Sequence, residues 1–235
     1  MNLAKSAAYD PELVRPLMMG PSALMIVDEL TSNLPLRPGM RVLDLGCGMG
    51  LTSLFLAKEF GVTVFATDLW ISASDNYERI RGLGLDHLIV PIHAEARVLP
   101  YASGYFDAVV SVDAYHYFGA DDEYLPTLLA PLVKRGGVIA VAVPGVKWEF
   151  WDDIPEAIRP YLTADMNFHT GKWWKDLWER SGVVSSISVR DMECFDDAWA
   201  EWLTCDNDYA RGDVAMIAAN AGRYMNLVAI TATVG

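Results

Sequence analysis

Three glycines at alternate positions, Gly46, Gly48 and Gly50, flanked by carboxylates at Asp44 and Asp68, are the residues of this chain best suited to holding a ligand. Without Cβ atoms the backbone can turn tightly there and a ligand can lie directly against it. A strand–turn–helix built around such a turn presents helix N–H groups and loops to a nucleotide-like molecule at the carboxyl ends of the strands. Two departures restrict the ligand. A dinucleotide turn reads G-x-G-x-x-G, but here the third glycine comes one position early and Leu51 occupies its place. Asp44 puts a carboxylate where a pyrophosphate needs positive surroundings, so it repels phosphate and suits a cationic, amine-bearing ligand. Cys47, between two of the glycines, is expected to turn its small side chain into the core. A second group, Asp113, Tyr115, His116 and Tyr117, follows an apolar run and combines a carboxylate, an imidazole and two phenols.

These residues need a scaffold of alternating strands and helices. Residues 41–45 are a short apolar run that stops at the glycines, as a buried parallel strand does. Leu51, Leu54 and Phe55 share one side of a helix that Gly61 ends, residues 62–66 form a second strand, and Asp68 lies just past it. Residues 72–82 read as a helix capped by Ser72 or Ser74, and 87–93 as a third strand carrying His87 and His93 as structural residues. The fourth strand, 106–112, delivers residues 113–118 to the carboxyl edge of the sheet. A helix over 121–133, shortened by Pro126 and Pro131, and a Lys-Arg-Gly-Gly turn then lead to a fifth strand at 138–143.

Val42-Leu43-Asp44-Leu45-Gly46-Cys47-Gly48-Met49-Gly50, with Asp68 at the end of the next strand, resembles the first two motifs of class I S-adenosylmethionine-dependent methyltransferases. Ala94-Glu95-Ala96-Arg97-Val98-Leu99-Pro100 is similar to that family's acidic-Ala-x-x-Leu-Pro turn, and the Lys-Arg-Gly-Gly turn also matches. The likeness covers residues 40–145. It implies a Rossmann-like, doubly wound α/β fold: a seven-stranded, mostly parallel sheet with an antiparallel last strand. The implied cofactor is S-adenosyl-L-methionine, leaving S-adenosyl-L-homocysteine as product. The implied cofactor contacts are the turn Gly46, Cys47, Gly48 and Gly50, with Asp44 before it, at the methionine and ribose, Asp68 on the ribose hydroxyls, Leu69 or Trp70 on the adenine face, Glu95 and Ala96 at the adenine amino group, and Asp113 at the ammonium or at the substrate. Methyl transfer needs the acceptor's lone pair in line with the methyl–sulfur bond, and a base only where the acceptor carries a proton. Asp113, His116 and Tyr117 are the catalytic candidates. The likeness also places Met18, Met19 and Gly20 at the cofactor entrance.

The chain has 235 residues, enough for one α/β domain with a cap. Residues 1–38 are expected to be an arm and a leading helix (22–30), 39–145 the cofactor core, 146–170 a cap or lid, and 171–235 the rest of the sheet. A helix at 172–181, a strand at 183–189, a helical insertion near 196–211, a helix at 213–224 and a last strand at 226–234 complete this order. Five tryptophans between Trp148 and Trp178, with Trp199 and Trp202, either fill a small second core or line an aromatic substrate pocket that His169 could also face, and the pocket reading points to a small amine or aromatic acceptor. The net charge of −13 opposes nucleic acid as a partner. Three cysteines without C-x-x-C spacing, and no H-E-x-x-H, predict neither disulfides nor metal and suit a reducing cytoplasm. Asp10 and Glu12 interrupt any secretion signal, and no apolar run is of membrane-spanning length. A cyclopropane synthase-like enzyme acting on a lipid, a non-catalytic S-adenosylmethionine sensor and an NAD-dependent oxidoreductase are the competing expectations, the last opposed by the glycine spacing and Asp44.

Overall fold

A computed structural model describes residues 3–235. The leading segment is packed rather than loose: short turns at Ser6–Ala8 and Arg15–Leu17 flank α1 (Pro11–Val14), and Val14 and Met18 are buried. The order then runs α2 (Ala23–Thr31), β1 (Arg41–Leu45), α3 (Leu51–Phe60), β2 (Thr63–Asp68), α4 (Ala73–Gly82), β3 (Ile89–His93), β4 (Phe106–Val112), β5 (Val133–Val146), α5 (Gly171–Ser181), β6 (Val184–Asp191), α6 (Phe195–Trp202), α7 (Asp208–Asn220) and β7 (Met225–Val234).

The seven strands lie in the order β3-β2-β1-β4-β5-β7-β6, with β7 antiparallel to both neighbours. This is the expected Rossmann-like α/β sheet. Its reversal between β1 and β4 opens the crevice in which such sheets bind ligands. Side chains alternate across it: Val42, Val64 and Val110 face one core with α2 and α3, while Leu43, Val109 and Val141 face the other with α5. On α5, Trp174, Leu177 and Trp178 recur at helical spacing and are buried against the sheet. Thr170 caps that helix by accepting from the Trp173 N–H at 3.2 Å, and Gly182 ends it at φ +67°.

Three local expectations change. His87 lies in the turn before β3 rather than in the strand. The helix expected at 121–133 is a π-helical turn at Tyr124–Leu129 followed by a 3₁₀ turn at Ala130–Leu132, because Pro126 and Pro131 cannot donate the α-helical ladder bonds. The 134–137 turn falls inside β5 as an irregularity, where pairing with β4 jumps from Phe106↔Val133 to Ala108↔Val138. Both sheet edges are also irregular: Pro91 sits within β3, and β6 slips register between Ser185 and Ser188, with Ser186 at φ +52°.

Candidate active site

A cavity opens along the carboxyl ends of β1, β2 and β4 and is roofed by the arm before α2. The chain turns sharply at Gly46, whose N–H reaches the Thr67 carbonyl at 2.8 Å. Its φ is +79°, and a Cβ there would lie 2.2 Å from the Ala114 Cβ, so only glycine fits. At Gly48 a Cβ would stand 2.9 Å from the Met19 sulfur, so the arm lies directly over the turn. Asn76 of α4 braces the turn from behind by donating to the Gly48 carbonyl at 2.9 Å. Cys47 is buried, with its Sγ 3.8 Å from the Asn76 amide.

Asp68 borders the cavity but is not the exposed carboxylate that a strand end suggests, since it is only 8% exposed. Its Oδ2 accepts from Gly48 N–H at 2.8 Å, and its Oδ1 from Trp70 and Ile71 N–H at 2.7 and 2.9 Å. Leu69 and Trp70 project beside it, and His93 holds the Leu69 carbonyl at 2.8 Å. At the far end Ala96 lines the wall, and Glu95 is occupied by Arg97: Nη1 donates to Oε1 at 3.1 Å and the backbone N–H to Oε2 at 3.0 Å.

Asp44 is a correction, because it is fully buried and does not line the cavity. Leu43 and Leu45 face the α5 side, so Asp44 points beneath α3, where Thr52 and Ser53 hydroxyls donate to its Oδ2 at 2.6 and 2.5 Å. Burial pushes its carboxyl up to about 6, the two hydroxyls oppose this, and the charge of Asp68 adds to it.

Beyond β4, Asp113 takes φ +54° and lines the cavity, with its Oδ2 2.7 Å from where a Cβ on Gly20 would be. Burial and the charge of Asp213 on α7 push its carboxyl up to about 7. Tyr117, half exposed, meets Trp70 edge to face at 5.4 Å across the mouth, and burial with the charges of Asp113 and Asp165 raises its phenol. His116 is a second correction. It is 2% exposed, lies outside the lining and packs on Phe168 at 5.4 Å, and burial lowers its imidazole to about 3. Tyr115 likewise turns into the core beside Trp174 and Trp178.

The aromatic stretch is the third correction. Among the described residues no side chain of 146–170, and no tryptophan except Trp70, lines the cavity. Trp174, Trp178 and Trp202 are core, while His169 pairs with Glu149 at 3.0 Å and stacks on Trp173 at 3.7 Å. Met19 and Gly20 border the cavity as expected, but Met18 turns inward against Cys205. Sequence reasoning missed Leu17, Pro21, Ala23 and Thr52 in the lining, and Asn76 and Asp213 behind it. Only the pairing of Thr52-Ser53 with a carboxylate at the first helical turn was a usable signal.

The described residues contain no helix long and apolar enough to cross a membrane, and no group of metal-ligating side chains.

A family model described as a methyltransferase domain matches residues 42–137. Among curated proteins, the chain is 27% identical to the methyltransferase GfsG of Streptomyces halstedii over 63% of its own length and 52% of that protein. It is 34% identical to a sarcosine/dimethylglycine N-methyltransferase of Halorhodospira halochloris over 54% of this chain and 44% of the relative. Among solved structures, Haemonchus contortus phosphoethanolamine N-methyltransferase 2, in complex with S-adenosyl-L-methionine, superposes with a TM-score of 0.73 at 19% identity, over 94% of this chain and 55% of that one. The chain thus spans about half the length of GfsG and of the H. contortus enzyme.

Proposed function

Because the chain belongs to the class I S-adenosylmethionine-dependent methyltransferase family, we propose that it transfers a methyl group from S-adenosyl-L-methionine to a small-molecule acceptor, an amine or aromatic compound. The observation that carries this reading is the joining of the glycine turn to Asp68 at one wall of the cavity. A carboxylate offers about four acceptor positions, and backbone N–H groups fill three of those on Asp68, so room remains for a ribose hydroxyl. Among the described residues no lysine or histidine lines the cavity and the one arginine there is paired with Glu95, so a pyrophosphate meets no free cation from them, which opposes NAD.

When bound, the cofactor supplies an electrophilic methyl group on a sulfonium. The chain's own residues then bind and orient. Gly46, Cys47 and Gly48 offer backbone to the methionine and ribose, Leu69 and Ala96 flank the adenine, Trp70 stands at the mouth against Tyr117, and Glu95 is within reach of the adenine amino group. Asp113 and Tyr117 stand at the acceptor side, whereas Asp44 acts from below by fixing the start of α3. Isothermal calorimetry with S-adenosyl-L-homocysteine and with NAD tests the cofactor, and release of S-adenosyl-L-homocysteine across a panel of amines and phenols tests turnover. Binding of NAD but not of S-adenosyl-L-homocysteine would overturn the reading, and binding without release on any acceptor would leave a sensor.

A further inference from the structure

Among the described residues, five of the cavity wall carry a charge or a phenol: Asp68, Glu95, Arg97, Asp113 and Tyr117. Asp68 accepts three backbone N–H bonds, and Glu95 and Arg97 satisfy each other. Asp113 differs from these. Its backbone N–H is used on the Ala142 carbonyl at 2.8 Å, but its carboxylate receives no hydrogen bond from the described residues. It is held in the left-handed region just past β4, against Gly20 of the arm, within range of the Asp213 charge and the neutral Tyr117 phenol, and among the described residues no cation faces it. A carboxylate so placed lacks a donor, and an unpaired polar group in a partly dry site costs free energy until one arrives. Beside it the Trp70 and Tyr117 rings form an apolar, electron-rich edge of the mouth.

We infer that the acceptor is an organic amine lacking carboxylate and phosphate groups, bound through its ammonium to Asp113 with its carbon skeleton against Trp70 and Tyr117. The inference rests on the methyltransferase reading above and narrows it. The two N-methyltransferases that this chain resembles act, by name, on molecules that carry an anionic group, whereas an anion at the Asp113 end of this cavity meets that carboxylate, and the arginine of the described lining, Arg97, is engaged by Glu95. The overall charge of −13 favours a cation over long range as well. Ring faces near a cation add attraction that an alcohol does not gain.

The proton balance fits the same residue. An ammonium has no lone pair, so one N–H proton passes to an Asp113 oxygen. The freed pair forms the new C–N bond while the methyl–sulfur bond breaks and its electrons remain on sulfur. The product is again an ammonium, and the proton on Asp113 returns to water.

The test uses the full chain saturated with S-adenosyl-L-homocysteine and reads binding by calorimetry. Probes are phenethylamine, tyramine and benzylamine, each against its carboxylate isostere, together with O-phosphoethanolamine and sarcosine. At least one amine is expected to bind ten or more times tighter than its isostere and than the two anionic probes. Asp113→Asn, which tolerates the same backbone, should weaken that amine at least tenfold while S-adenosyl-L-homocysteine affinity stays within about twofold. Gly20→Ala, whose Cβ must displace the carboxylate, should do the same in a second, independent way. Equal binding of amines and isosteres would overturn the inference, as would a tenfold loss of S-adenosyl-L-homocysteine affinity in a folded Asp113→Asn, which would assign the carboxylate to the cofactor. Failure of the unaltered protein to bind S-adenosyl-L-homocysteine would sink the cofactor reading and this inference together.

Discussion

The Asp68 carboxylate closes on the Gly48 N–H at 2.8 Å, so the acidic end of β2 and the turn after β1 form one hydrogen-bonded unit. Its second oxygen holds the chain at Trp70 and Ile71. Asp68→Ala is therefore expected to act twice. Cofactor binding should fall at least tenfold, and stability should drop by about 1–3 kcal/mol as backbone donors lose their acceptor. Calorimetry and urea unfolding read the two effects, and an unchanged dissociation constant would remove Asp68 from the binding site.

Cys47 should be silent despite its place in the turn. Burial and the charges of Asp44 and Asp68 hold its thiol well above the ordinary range, so little thiolate exists near neutral pH. Cys47→Ala is expected to keep cofactor affinity within about twofold, and a thiol reagent at pH 7.5 should label the native protein far more slowly than the urea-unfolded chain. Rapid native labelling would contradict this.

Asp44 links stability to pH. Its folded carboxyl is raised to about 6, so the native state holds the proton more tightly than the unfolded chain does. Sequestering the charge therefore costs stability progressively as pH rises from about 4 to about 6, and the cost stays constant above. Asp44→Asn removes the charge but keeps an acceptor for Thr52 and Ser53. Relative to the unaltered protein the variant should gain about 2–3 kcal/mol between pH 4 and pH 7, at 1.36 kcal/mol per pKa unit. A difference between the two proteins that does not change with pH in urea titrations would refute the assignment.

Amine binding should follow the ionisation of Asp113. With its carboxyl pushed up to about 7 by burial and by Asp213, it is mostly neutral at pH 6 and cannot pair with an ammonium. The affinity of the best amine probe is expected to rise about tenfold per pH unit below 7 and level off above it. Tyr117 stays neutral across this range because burial and two carboxylates raise its phenol. Asp113→Asn should flatten the profile, and a slope that survives in the variant would point to another group.

The parts of the fold that repeat simple rules were legible in the sequence. The apolar runs of β1, β4 and β5, the Ser72 cap and the Gly182 stop fall within a few residues of expectation, because burial and capping act locally. The site was legible where backbone makes it: the glycine turn, Asp68, Glu95 and Asp113 all reach the cavity. Side-chain direction was less so. Alternation along β1 could have sent Asp44 under α3, but its charge beside the glycine turn reads as a ligand contact. His116 and the tryptophans failed for another reason, since a ring near a loop carries no sign of which side it packs on until tertiary contacts decide. The approach of Gly20 to Asp113 joins residues 93 apart in sequence, and no local pattern announces it.

An open sheet of seven strands has two free margins, each a template on which another chain could add a strand and start aggregation. Here both are blunted. Pro91 deletes one N–H from the outer strand on one side, and the slipped register with left-handed Ser186 breaks the even spacing of donors and acceptors on the other. A second copy therefore meets no continuous ladder at either margin. Restoring regularity on both, with Pro91→Val and deletion of Ser186, would offer a second copy an unbroken row of donors and acceptors at each margin.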